Sequence, residues 1–69
     1  MSGVAEIYLE FVDGQEISVY SVVREPNWVH EVEKNGPTSV EVKFFNIVTE
    51  QEAEFHAKID GGSIKVEHS

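Results

Sequence analysis

Polar and apolar residues alternate along much of the chain. From Val4 to Val12, Ala5, Ile7, Leu9 and Phe11 fall on one face and Glu6, Tyr8 and Glu10 on the other. A period of two predicts a half-buried strand. Gln15 to Val23 alternates again, with Ile17, Val19 and Val23 opposite Glu16, Ser18 and Tyr20. Asp13-Gly14 between the two runs predicts a hairpin. A two-residue loop would set Phe11 against Glu16 and Leu9 against Ser18, mixing apolar and polar residues on one face. A three-residue loop, Val12-Asp13-Gly14, pairs Phe11 with Gln15, Leu9 with Ile17 and Ile7 with Val19. That register keeps the apolar face continuous and gives Gly14 the left-handed position of a bulged turn.

Arg24-Glu25-Pro26-Asn27 interrupts the pattern, because proline cannot donate to a ladder and pushes the residue before it toward extended geometry. Trp28 to Lys34 predicts a weaker strand with Trp28, His30 and Val32 on one face, ended by the turn Asn35-Gly36-Pro37. In Ser39 to Val48, Val40, Val42 and Phe44 alternate, and Phe45 and Ile47 continue in the opposite phase. Such a slip predicts a β-bulge or a strand buried on both faces. After Glu50-Gln51-Glu52, residues Ala53, Phe55, Ala57 and Ile59 alternate with Glu54, His56 and Lys58. A two-residue Gly61-Gly62 turn then pairs Ile59 with Ile64 and Ala57 with Val66, and it sets His56 against Glu67 and Lys58 against Lys65.

The prediction is an all-β fold, a small antiparallel meander of five to six strands forming a compact barrel or sandwich. One domain fills residues 1–69. The best helical stretch, Val40 to Phe55, is too rich in β-branched residues to be preferred as a helix. Phe11, Phe55 and one of Phe44 or Phe45 are expected in the core, with the other Phe facing outward.

There is no cysteine, so apolar packing must hold the fold, and a reducing cytoplasm is the expected setting. Met1-Ser2-Gly3-Val4-Ala5-Glu6 has neither a basic residue nor an apolar stretch, so no secretory leader is expected. Hydrophobic residues make up 41% of the chain, enough to argue for folding despite a net charge of −8. With 13 acids against 5 bases, the surface repels phosphate and anionic lipid, so neither nucleic acid nor membrane is expected as a partner.

No catalytic constellation emerges. His30, His56 and His68 lack the spacing of a metal site, so no metal is expected. Asp60 and Ser63 read as turn residues around the two glycines rather than as a triad with His56. The carboxylates Glu31 and Glu33, and Glu50, Glu52 and Glu54, fall on solvent faces, where no pocket would raise a pKa. No phosphate-binding glycine motif occurs. The chain is therefore expected to be no enzyme and to need no cofactor.

The aromatic residues carry the functional expectation. Tyr8 and Tyr20 fall on the outer face of the first hairpin, framed by Glu6 and Glu10, and Trp28 follows the Pro26 loop. Tyrosine and tryptophan are enriched at contact hot spots, and acids steer a basic partner. The expected function is a non-catalytic interaction module, an inhibitor or accessory subunit. Its protein-binding residues would be Tyr8, Tyr20, Glu6, Glu10 and Trp28, and its partner a protein with a basic patch. The alternative is a self-assembling structural subunit, a homodimer or larger homo-oligomer.

Overall fold

The computed structural model describes residues 2–13 and 15–69. It contains six antiparallel strands and, among the described residues, no helix: β1 (Ala5–Val12), β2 (Glu16–Arg24), β3 (Trp28–Asn35), β4 (Ser39–Asn46), β5 (Glu52–Asp60) and β6 (Ser63–His68). They form two sheets, a β1-β2 hairpin and a four-stranded sheet in the order β3-β4-β5-β6. The strands do not close into a barrel, since no ladder joins the two sheets among the described residues.

The first hairpin departs from the predicted register. Val12 pairs with Glu16, Phe11 with Ile17 and Leu9 with Val19, so the three-residue connection lies one place later than predicted, over Asp13 to Gln15. Gln15 N–H donates to the Val12 carbonyl at 3.0 Å, and Asp13 takes a left-handed φ of 51°. The conformation predicted for Gly14 lies outside the described residues. The observed register is the better one physically, because it sets Phe11 against Ile17 instead of Gln15. A bulge then shifts the pairing between Tyr8 and Leu9, so that Tyr8 faces Ser21 and Ile7 faces Val22. The extra residue reverses the phase of β2: Val22 packs against the core, while Val23, predicted inside, lies exposed.

In the four-stranded sheet, Trp28 pairs with Asn46 and Val32 with Val42, with a bulge between Val32 and Lys34. β4 keeps one phase. Val40, Val42, Phe44 and Asn46 are buried, and Phe45 faces outward. The apparent phase slip is neither a bulge in β4 nor two-sided burial, because the strand stops at Asn46. The Asn46 side-chain Oδ1 accepts the N–H groups of Val48 and Thr49, both at 2.9 Å. An asparagine that captures loop amides in this way turns the chain out of the sheet. Ile47 and Val48 are left exposed in the loop. The last hairpin has the predicted register, Ile59 with Ile64 and Ala57 with Val66, and Gly61 and Gly62 take φ of 61° and 83°.

One core joins the sheets: Ala5 and Ile17 from the hairpin, and Val40, Val42, Phe44, Phe55 and Ala57 from the four-stranded sheet. Ile17 is 1% exposed. Burying a side chain of that size contributes about 1.5–3 kcal/mol. Phe11 was expected in this core but is 41% exposed, because it lies near the tip of an edge strand.

The turn between β3 and β4 holds the hairpin in place. Ile17 N–H donates to the Pro37 carbonyl, and Val19 N–H donates to the Asn35 side-chain Oδ1, both at 2.7 Å. Gly36 sits between these contacts at φ 80°, and any Cβ there would collide with the Ile17 carbonyl. At the opposite end Ile47 N–H donates to the Asn27 carbonyl at 2.9 Å, and Asn27 has a left-handed φ of 72°.

Candidate functional site

The outer face of the hairpin follows from the register. Glu6, Tyr8, Glu10 and Val12 alternate with the inward residues of β1, and Val23, Ser21, Ser18 and Glu16 stand opposite them on β2. Tyr20 occupies the bulge beside the Tyr8–Ser21 pair and is 75% exposed, and Tyr8 is 48% exposed. Glu6 and Glu10 are exposed as well. The bulge thus brings both tyrosines to one stretch of the face.

Tyr8 and Glu6 lie two residues apart on the same side of β1. The Tyr8 hydroxyl donates to the Glu6 carboxylate at 2.7 Å. That bond favours the protonated phenol and raises the Tyr8 pKa above its ordinary 10.0; the negative charge of Glu6 and slight desolvation act in the same direction. The bond also orients the Tyr8 ring on the surface.

This face carries Glu6, Glu10 and Glu16, and among the described residues none of them forms an ion pair. The outer face of the four-stranded sheet is different. Lys43 lies 3.6 Å from Glu33 and 3.9 Å from Glu54, and Lys65 lies 3.6 Å from Asp60. His56 lies 3.9 Å from Glu41 and 3.6 Å from Glu54, and it pairs across the strands with Glu67. Every ion pair among the described residues is on this sheet.

The other sequence-predicted residues are dispersed. Trp28 is half-buried against the core in the four-stranded sheet, where it pairs with Asn46, and is not part of the hairpin's outer face. His30 packs its ring 6.1 Å from that of Phe44, inside the sheet, while His56 lies outside it. The buried Nδ1 of His30 has no hydrogen-bond partner. No group of His, Asp and Glu among the described residues is arranged to hold a metal ion. Asp60 and Ser63 face each other across the last turn, as turn residues do.

Sequence reasoning missed one surface. Val29 pairs with Phe45 on the outer face, and Ile47 and Val48 follow in the adjoining loop; all four are exposed. The signal is the Phe44-Phe45-Asn46-Ile47-Val48 run, whose change of phase predicts a β-bulge or a strand buried on both faces, whereas it marks a strand end. An open groove of about 470 Å³ is lined by Val4, Trp28, Glu52, Ala53, His68 and Ser69.

Compared with known proteins, the chain matches no family model, and neither a curated protein nor a solved structure is significantly similar to it.

Proposed function

We propose that the chain is a small acidic, non-catalytic interaction module that binds a basic protein through the outer face of the β1–β2 hairpin. The supporting observation is the grouping of two exposed tyrosines with three carboxylates that form no ion pair among the described residues. Tyrosine supplies contact area at small entropic cost, and unpaired carboxylates speed encounter with a basic surface and disfavour acidic ones. In this reading the two sheets are the layers of a small sandwich, and the face is carried on a strand pair rather than a loop. The setting is the cytoplasm, and the role is that of an inhibitor or accessory subunit.

The test is a comparison of retained proteins. Tagged wild-type protein and the Tyr8→Ala/Tyr20→Ala variant are passed through extract of the producing cell. Basic proteins held by the wild type and lost from the folded variant support the proposal. An unchanged set removes the face from consideration.

A second reading rests on Val29, Phe45, Ile47 and Val48, an exposed apolar surface of the kind that self-associates. Light scattering after size exclusion separates the two. A stable oligomer that Phe45→Glu disperses favours self-assembly, and a monomer favours the hairpin face.

A further inference from the structure

We infer that the partner adds an extended strand to the open edge of β1, a segment in which basic and apolar residues alternate. This inference rests on the hairpin-face reading above and specifies how the face is engaged. Ile17 and Val19 turn their N–H groups away from β1, toward Pro37 and Asn35. In an antiparallel ladder, N–H and C=O of one residue point to the same side. Their partners Phe11 and Leu9 therefore turn both groups away from β2. At the other end Glu25 N–H donates to the Val4 carbonyl at 2.8 Å, so Val4 faces β2 and its alternates Ala5 and Ile7 face the open side. β1 thus presents the N–H and C=O groups of Ile7, Leu9 and Phe11 in one row, beyond the buried Ala5, and among the described residues no strand covers them.

The other edges are better guarded. β3 is interrupted by the bulge between Val32 and Lys34, and β6 spans six residues and carries Lys65. β1 spans eight residues without proline or lysine, and the bulged residue of its ladder is on β2. Bulges, short length and lysines are the usual devices against strand addition, and β1 lacks them. Its inner face is incompletely covered: Ile7 and Leu9 are half-buried and Phe11 is exposed. A strand placed beside it would extend that cover.

Charge selects the occupant. Any pairing of β1 with a second copy that preserves the faces gathers Glu6 and Glu10 of both copies on one surface, which repels. A strand with lysine or arginine outward and apolar residues inward meets the same carboxylates favourably and sets its apolar residues beside Ile7, Leu9 and Phe11.

The probe is a capped heptapeptide of alternating lysine and valine, compared with the same peptide N-methylated at its valines. The methyl groups leave charge and side chains in place but remove the donors aimed at the edge. The expected result is slowed amide exchange at Ile7, Leu9 and Phe11 with the plain peptide, and binding at least roughly tenfold weaker after methylation. Equal binding of the two peptides overturns strand addition. If Tyr8→Ala/Tyr20→Ala then abolishes both, the face reading stands without it. Binding of the plain peptide that survives the double tyrosine substitution, with the same slowed amides, keeps the edge and overturns the face. Slowed exchange along β3 or β6 instead, or no binding of either peptide, overturns the inference.

Discussion

The two parts of the chain, the hairpin with its flanking turns and the four-stranded sheet, carry equal formal charge and arrange it differently. Residues 1–27 hold five acids against Arg24, and residues 28–69 hold eight acids against four lysines, a net −4 in each. On the four-stranded sheet Lys43, Lys65 and His56 sit within 4 Å of acids. On the hairpin face Glu6, Glu10 and Glu16 have no such neighbours among the described residues, and Tyr8 and Tyr20 stand exposed beside them. A solubilising surface needs only the first arrangement. The second leaves charge and aromatic area available to something outside the chain.

The sheets also differ in what holds them. The four-stranded sheet has its own ladders, whereas a lone two-stranded hairpin is marginal in water and depends on docking. The Asn35-Gly36-Pro37 turn supplies much of that docking. The largest effect should therefore come from Gly36→Ala. It adds a Cβ against the Ile17 carbonyl at a left-handed φ, and left-handed strain with overpacking should cost about 2–5 kcal/mol in urea unfolding. Hydrogen exchange should show the β2 amides opening before those of β4 and β5. Wild-type stability in this variant would mean that the turn does not hold the hairpin.

Much of this division was legible from the residues. Alternation located all six strands, and Gly61-Gly62 gave the last register because both positions demand positive φ. The first register was misread by one place in the loop, since the apolar phase alone admits both alignments and only the match of Phe11 to Ile17 separates them. The β2 bulge left no mark in the sequence, because Val22 and Val23 are chemically alike and either can face inward. The role of Asn35 was hidden for another reason. Asn35-Gly36-Pro37 announces a turn, but not which strand the turn will bond. The exposed tyrosines were predictable from alternation, while the absence of ion pairs beside them, among the described residues, depends on which strands end up side by side.

Smaller effects test the charge contrast. Lys43 bridges Glu33 and Glu54 at the surface, so Lys43→Ala should destabilise the fold by roughly 0.2–1 kcal/mol. Glu10→Gln on the hairpin face should have no cost or a slight gain, because it removes repulsion and breaks no ion pair. Opposite signs in thermal melts support the contrast, and equal losses would dissolve it. Sodium chloride should raise the melting temperature of the wild type, since screening relieves a net −8 more than it weakens exposed pairs. A falling melting temperature would place the balance with the pairs.

The smallest effect concerns a single proton. Tyr8 keeps its phenol above the ordinary 10.0 because Glu6 accepts its hydrogen bond. A raised folded-state pKa means that this contribution is complete below pH 10.0 and fades as pH climbs through the raised value. Carbon NMR of the tyrosine rings should show the Tyr8 titration moving down in Glu6→Gln. An unmoved midpoint would show that the bond does not form in solution.

The most direct test of the hairpin face as the partner surface is the affinity of Tyr8→Ala/Tyr20→Ala for a basic protein that the wild type captures. Isothermal titration should show the wild type binding and the double variant weaker by roughly 30-fold or more, the equivalent of about 2 kcal/mol at a hot spot. The melting temperature should change little, because both rings lie on the surface. A folded double variant that binds with wild-type affinity would contradict the account.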